Sequence, residues 1–133
     1  MGKVALDTSV LIALDKNQTV PDSVLGPDDS LVIPVVALAE LMVGAKHPER
    51  AESARERTRV FVQTLKQECE IVGVDEETAS IFAGLRAHAL AERKPRGIND
   101  LWIAAMAIQA NAQLASMYQR ARFEALPGLR LRT

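Results

Sequence analysis

The sequence predicts an α/β fold in which helices cover a parallel sheet on both faces. Short apolar runs alternate along the chain with longer segments whose apolar residues recur at helical spacing. Parallel strands need crossover connections, so this alternation favours right-handed β-α-β units around a buried sheet.

Each predicted strand is a short apolar run that ends where the chain is poorly suited to continue it. The first run stops at Asp7, and the second stops at Pro34, which is tolerated at a strand end or in the first turn of a helix. Four of the runs are predicted strands, and a fifth run is a candidate. The predicted strands are residues 3–6, 31–33, 71–74 and 113–117, with 129–131 as the fifth candidate.

Helices are predicted between the strands. Asp7, Thr8 and Ser9 carry oxygens that can cap a helix start, and Asn99 with Asp100 does so before the apolar segment LWIAAMAIQA. Residues 17–30 contain several turn-forming residues and are predicted to be mostly loop. The predicted helices are 10–14, 36–45, 49–67, a helix from Asp75 or Thr78 to Leu90, and 101–110.

Composition and charge exclude several classes of protein. The chain has 133 residues, and we expect one domain over residues 1–133. Its 16 Lys and Arg against 17 Asp and Glu argue against binding nucleic acid through bulk positive charge. A single cysteine and two distant histidines offer neither an internal disulfide nor a zinc site. No apolar run approaches a membrane span and no signal-peptide pattern opens the chain, so we expect a cytoplasmic protein.

Three acidic residues are expected at one edge of the sheet. Asp7 follows the first strand, Glu40 lies in the first turns after the second, and Asp100 begins a helix after a basic loop. Sites in such folds form outside the carboxyl ends of the strands. Clustered carboxylates repel one another unless a cation lies between them, and oxygen ligands suit Mg²⁺ or Mn²⁺. Such an ion activates water and neutralises a phosphodiester, which indicates nuclease chemistry.

Each of the three acids also has a structural interpretation. Asp7 can be a helix N-cap, and Asp100 can be a first-turn acid favoured by the helix dipole. Glu40 can lie on the polar stripe of its helix. A receiver domain of a signalling pair is an alternative from another class. It needs paired acids after the first strand and a lysine after the last main strand, but Asp7 stands alone and no lysine follows Lys94.

Several segments resemble a known family. LDTSVLIAL at 6–14, PVVALAELMVGA at 34–45 and GINDLWIAAMAIQANA at 97–112 resemble the signature segments of the PIN domain. More narrowly they are similar to VapC toxins of type II toxin–antitoxin pairs, whose ending the tail RFEALPGLRL at 122–131 resembles. The resemblance implies a PIN-like three-layer sandwich with a central four- or five-stranded parallel sheet flanked by helices.

The resemblance also implies an activity and partners. It implies an endoribonuclease dependent on Mg²⁺ or Mn²⁺, with RNA as substrate, a cognate VapB-like antitoxin as inhibitor, and self-association into a homodimer. Asp7, Glu40 and Asp100 match the family's acids. Asp7 and Asp100 would hold the metal, and Glu40 would bind it or orient the water. Supporting roles fall to four neighbours: Thr8, Ser9, Asn99 and Ser116.

The segment after the fourth strand departs from the family pattern, which often has Thr-x-Asp or Thr-x-Asn there. Ser116 keeps the hydroxyl, but Tyr118 replaces the acid. A tyrosine with a pKa of about 10 is no carboxylate ligand at neutral pH, so three acids remain, enough for one ion. The number of ions stays open. An aromatic ring at this position suits stacking on an RNA base.

Basic residues near these acids are expected to contact RNA phosphates. For the basic loop at 93–97, the alternative is that its charges are simply solvated. For the whole chain, the alternatives are a weakly catalytic PIN scaffold that acts by binding and a housekeeping PIN nuclease in RNA maturation. Trp102 is expected in the core. An apolar strip on 38–43 and the helix 49–67 is expected to take an antitoxin helix. The candidate RNA contacts are Arg93, Lys94, Arg96, Tyr118 and Arg120, with Arg122, Arg130 and Arg132 adding charge to the tail.

Overall fold

The sheet of this protein has four parallel strands. The structure is a computed structural model that describes residues 2–118 and 122–132. The strand order is β3-β2-β1-β4, and every neighbouring pair is parallel. The predicted α/β class is therefore confirmed. The strands are β1 Lys3–Leu6, β2 Ser30–Pro34, β3 Glu70–Val72 and β4 Gln113–Ala115.

Within residues 2–118 and 122–132, five helices flank the sheet. The first three pack on one another, and the last two form a second packed pair. The helix predicted over 49–67 begins later, at Glu52, because residues 48–50 form a turn. The helices are α1 Thr8–Asp15, α2 Val35–Lys46, α3 Glu52–Glu68, α4 Glu76–Glu92 and α5 Ile98–Gln109.

The central strand β1 positions the rest of the fold. Val4 pairs with Leu31 of β2 on one side and with Gln113 of β4 on the other. Its apolar residues Val4, Ala5 and Leu6 are fully buried, as expected for a strand covered on both faces. Because all four strands run the same way, their carboxyl ends meet at one edge.

Two strands are shorter than predicted. The segment 71–74 ends as strand at Val72, and Val74 is exposed. The segment 113–117 ends as strand at Ala115, because the backbone N–H of Met117 donates to Ser9 Oγ at 2.9 Å instead of to a ladder partner. Side-chain hydrogen bonding near the carboxyl edge therefore ends β4.

The predicted fifth strand is reduced to a single parallel bridge between Leu114 and Leu131. The Leu114 N–H donates to the Arg130 carbonyl, and the Arg132 N–H donates to the Leu114 carbonyl, both at 2.8 Å. The tail therefore runs beside β4 but pairs with it at one residue only, among those described.

Helices α4 and α5 meet through an aromatic stack. The rings of Phe82 and Trp102 lie 3.8 Å apart between centroids and 9° from parallel. Trp102 is only half-buried in this contact and does not belong to the buried core, so the prediction that it lies in the core is wrong. Within the described part of the chain, no helix has both the length and the apolar character needed to cross a membrane.

Candidate active site

Asp7 is the best-buried of the three acids, with 2% of its surface exposed. It caps α1: Asp7 Oδ1 accepts from the Val10 N–H at 3.1 Å and from Ser9 Oγ at 2.5 Å. Its backbone N–H donates to the Ala115 carbonyl at 3.1 Å, which ties the end of β1 to β4. Burial raises the pKa of the Asp7 carboxyl despite hydrogen bonds from Ser116, Ser9 and the backbone that lower it. The N-cap interpretation is confirmed, and it leaves a desolvated carboxylate at the carboxyl edge.

Glu40 joins the starts of two helices. Its Oε1 accepts from Thr8 Oγ1 at 2.5 Å, and its Oε2 accepts from Asn99 Nδ2 at 3.3 Å. Thr8 opens α1 and Asn99 lies in the first turn of α5, so the half-buried Glu40 side chain points at the carboxyl edge. Glu40 is therefore compatible with the polar stripe of its helix, but its carboxylate is held by two other helices.

Asp100 lies inside the first turn of α5. The predicted capping by Asn99 and Asp100 is wrong: Gly97 is the N-cap, and it makes no side-chain cap hydrogen bond. Burial raises the pKa of Asp100, the Arg122 charge lowers it, and the charges of Glu40 and Asp7 raise it further. The charges of Glu40 and Asp7 therefore reach the Asp100 carboxylate.

Two serine hydroxyls attach the end of β4 to this site. Ser9 Oγ, which donates to Asp7 Oδ1, lies 3.5 Å from Ser116 Oγ. The Tyr118 N–H donates to Ser116 Oγ at 3.0 Å. Together with the contact from Met117 to Ser9, these bonds hold the chain that follows β4 beside Asp7.

Tyr118 and Arg122 form the outer wall of the site. The Arg122 Cζ lies 4.0 Å from the centroid of the exposed Tyr118 ring. Arg122 Nε is 3.7 Å from Asp100 Oδ2. The structure therefore gives Tyr118 a guanidinium to stack on, and base stacking by its ring stays a prediction.

The donor chemistry suits a hard divalent cation. An open cleft of about 360 Å³ is lined by Glu40, Asn99 and Asp100 with Gly97, Ile98 and Arg122. Among the described residues, no group of three or more carboxylate, imidazole or thiolate side chains is placed so that it could hold a metal ion by itself. Mg²⁺ commonly keeps several waters and uses only one or two protein carboxylates, so an open set of oxygen donors fits it.

A basic cavity adjoins the acidic cleft. It measures about 600 Å³ and is lined by Arg86, Arg93 and Lys94, and Gly97 lines both it and the cleft. Arg86 is not among the predicted RNA contacts. The available signal was its position one turn before Leu90 near the end of α4, just ahead of the basic residues that follow the helix, of which Arg93 is the left-handed C-cap.

Arg96 also lines this cavity, but its guanidinium is used mainly inside the protein. Its side chain is only 3% exposed. Its Nη1 donates to the Arg122 carbonyl at 3.0 Å, and its Nη2 donates to the Glu124 carbonyl at 2.7 Å. Arg96 therefore fixes the tail. Arg120, the last predicted RNA contact, lies outside the described residues.

Comparison with known proteins agrees with this geometry. The PIN domain family model matches residues 4–126. Ribonuclease VapC5 of Mycobacterium tuberculosis is 33% identical over 123 residues, covering 92% of this chain and 87% of that protein.

Solved structures agree as well. The crystal structure of VapBC-5 from M. tuberculosis, a member of the VapBC family of toxin-antitoxin systems, matches with a TM-score of 0.79 and 28% identity over 100% of both chains. VapBC2 from Rickettsia felis, bound to a DNA fragment from its promoter, matches with a TM-score of 0.78 and 25% identity over 97% of this chain and 96% of that one. The chain therefore belongs to the PIN-domain family and, within it, to the VapC group.

Proposed function

We propose that this protein is a metal-dependent endoribonuclease toxin that hydrolyses RNA phosphodiester bonds and is restrained by a cognate VapB-like antitoxin. The observation that carries the proposal is the convergence of Asp7, Glu40 and Asp100 at one edge of the sheet from three separate elements. The name ribonuclease of the related VapC proteins supports the reaction class, and their toxin–antitoxin complexes support the partner.

The proposed cofactor is Mg²⁺ or Mn²⁺. Asp7 and Asp100 would hold the ion, and Glu40 would bind it or orient the attacking water. When bound, such an ion activates water and neutralises the phosphate. Thr8 and Asn99 hold the Glu40 carboxylate from both sides. Family resemblance predicts products with a 5′-phosphate and a 3′-hydroxyl.

The RNA backbone is proposed to run from the acidic cleft over Gly97 into the basic cavity. Arg86, Arg93 and Lys94 form no ion pair with any described residue, so their charges are available to phosphates. Phosphate contacts of this kind position a strand without reading its sequence. Nothing in this arrangement selects a particular RNA.

The antitoxin is proposed to cover a groove between α2 and α3. This groove of about 450 Å³ is lined by Met42, Val60 and Val62 together with charged residues, and Val60 is exposed. Its position agrees with the apolar strip predicted for an antitoxin helix. A homodimer and a cytoplasmic location remain predictions.

RNA cleavage by purified protein tests the proposed reaction. Wild type should cut RNA with Mg²⁺ or Mn²⁺ and lose activity with a chelator, and Asp7→Ala and Asp100→Ala should be inactive. Asp22→Asn is the matched control, because Asp22 is an exposed loop acid before β2, away from the carboxyl edge. Equal activity in wild type and Asp7→Ala would identify a contaminating nuclease and refute the assignment. RNA binding without cleavage would instead indicate a binding module.

A further inference from the structure

The tail of this protein returns a cation to its acidic site. Arg122 Nε lies 3.7 Å from Asp100 Oδ2, and the Arg122 side chain is 49% exposed. Among the described residues, Arg122 alone forms an ion pair with one of the three acids. A permanent positive charge therefore lies where a divalent cation is proposed to bind.

The position of Arg122 is built by two separate contacts. Its guanidinium lies over the Tyr118 ring at 4.0 Å, a favourable cation–π arrangement. Its backbone carbonyl accepts from the nearly buried Arg96, which also holds the Glu124 carbonyl and pairs with Glu92. The backbone at Arg122 is fixed, whereas its half-exposed side chain keeps room to turn.

We propose that Arg122 is a phosphate-binding residue of this site, and that it rests on Asp100 when neither metal nor RNA is bound. This inference rests on the proposed function. A guanidinium matches phosphate oxygens bidentately, and it is repelled by a dication that shares its carboxylate partner. Tyr118 keeps the guanidinium beside the cleft after it leaves Asp100. Arg122 and the metal ion thus compete for the Asp100 carboxylate when RNA is absent. When RNA is bound, both interact with its phosphate groups.

If Arg122 competes with Mg²⁺ for Asp100 but helps to bind RNA, one substitution of Arg122 should strengthen Mg²⁺ binding and weaken RNA binding. Arg122→Gln should tighten Mg²⁺ binding by about two- to fivefold, the range expected for removing a half-exposed ion pair. The same variant should weaken RNA binding. A plot of the logarithm of the RNA association constant against the logarithm of the salt concentration should become less steep by about 0.7, which corresponds to one lost phosphate contact on a single strand. A merely structural role for Arg122 would weaken both.

The two effects are measured separately. Calorimetric titration with Mg²⁺ alone gives the metal affinity without RNA. Fluorescence anisotropy with a short labelled single-stranded RNA, at several salt concentrations with Mg²⁺ present, gives RNA affinity. The RNA measurement is made in an Asp7→Asn background, so that the RNA stays intact.

Arg57→Gln is the matched control. Arg57 of α3 is 48% exposed and lies 3.5 Å from the Asp15 carboxylate, outside the site, so its removal should change neither measurement. Tyr118→Ala tests the ring that the Arg122 guanidinium covers, and it should weaken RNA binding.

The outcomes separate this inference from the proposed function. If wild type cuts RNA but Arg122→Gln leaves Mg²⁺ affinity and the salt slope unchanged, the role of Arg122 is wrong and the nuclease assignment stands. If Arg122→Gln tightens Mg²⁺ binding but wild type neither binds nor cuts RNA, the nuclease assignment fails and phosphate binding fails with it. Weaker Mg²⁺ binding by Arg122→Gln overturns the competition directly.

Discussion

Asp7 combines two roles that substitutions can separate. Its Oδ1 caps α1 through the Val10 N–H and also accepts from Ser9. Its negative charge is buried, because only 2% of the surface of Asp7 is exposed. Asp7→Asn keeps a capping oxygen and removes the charge. Asp7→Ala removes both. We therefore expect two inactive variants that differ in fold stability.

The size of the difference follows from the cap. Replacing a capping side chain by alanine costs about 0.5–2 kcal/mol, and asparagine caps as well as aspartate. Asp7→Ala also leaves the Val10 N–H without its side-chain acceptor. We expect Asp7→Ala to be about 1 kcal/mol less stable than Asp7→Asn, which for a domain of this size lowers Tm by roughly 4 °C.

The pH dependence has a definite sign. Burial raises the pKa of Asp7, so the folded state binds the proton more tightly than the unfolded state does. The free energy of unfolding of wild type therefore falls as pH rises from the ordinary Asp pKa through the raised value. Asparagine does not titrate. At neutral pH Asp7→Asn should be more stable than wild type, and in acid below the ordinary Asp pKa this advantage should disappear.

Urea denaturation followed by circular dichroism measures these differences. Chelator is present throughout, so that metal binding does not stabilise wild type alone. An Asp7→Asn variant no more stable than wild type at neutral pH would refute the claim that the buried charge is costly. Equal stability of Asp7→Asn and Asp7→Ala would refute the capping claim.

Two further predictions concern one position in the site and one buried position outside it. A Cβ on Gly97 would lie 3.1 Å from Asp100 Oδ2, so Gly97→Ala should displace that carboxylate and weaken Mg²⁺ affinity in calorimetric titration by several-fold to about tenfold. The control Gly84→Ala meets nothing within 4 Å inside α4, and it should leave Mg²⁺ affinity unchanged and raise stability by up to about 1 kcal/mol. Thr58 is fully buried and donates to the buried Asp15 Oδ2 at 2.7 Å, so Thr58→Val should lower unfolding free energy by roughly 1–3 kcal/mol and leave Mg²⁺ affinity unchanged. Unchanged Mg²⁺ affinity in Gly97→Ala, or unchanged stability in Thr58→Val, would contradict these expectations.

The acids were predictable from sequence because local signals and one topological rule suffice to place them. Asp7 follows an apolar run, and Pro34 ends the next run shortly before Glu40. Parallel strands bring such positions to a shared edge whatever the loops between them do. The charges of Glu40 and Asp7 raise the pKa of Asp100, which agrees with that placement.

The start of α5 and the contacts of Arg96 were not predicted from the sequence, because they depend on the backbone and on residues far away in the chain. Asn99 and Asp100 have the composition of a cap, but the backbone starts the helix one residue before them, at Ile98, and so leaves the Asp100 carboxylate to face the site. From sequence, Arg96 is a loop cation. In the fold its guanidinium donates to the carbonyls of Arg122 and Glu124, which are more than 20 residues away in the chain. A sequence shows which side chains are charged, whereas the hydrogen-bond or ion-pair partner of each charged side chain is determined by tertiary contacts.

The near-neutral net charge of −1 acquires a different meaning once charges are located. Interactions between exposed charges are screened beyond about 8 Å at physiological salt, so RNA responds to local patches and not to the sum. Burial raises the pKa values of both Asp7 and Asp100, and charge repulsion from the other acids adds to the rise at Asp100, so ionisation of these carboxylates opposes folding at neutral pH. Arg122 partly offsets that cost at Asp100 in the free protein, and a divalent cation would offset it more strongly, since it carries twice the charge. The cation that relieves this repulsion is thus also the proposed cofactor, which couples stability of the fold to loading of the site.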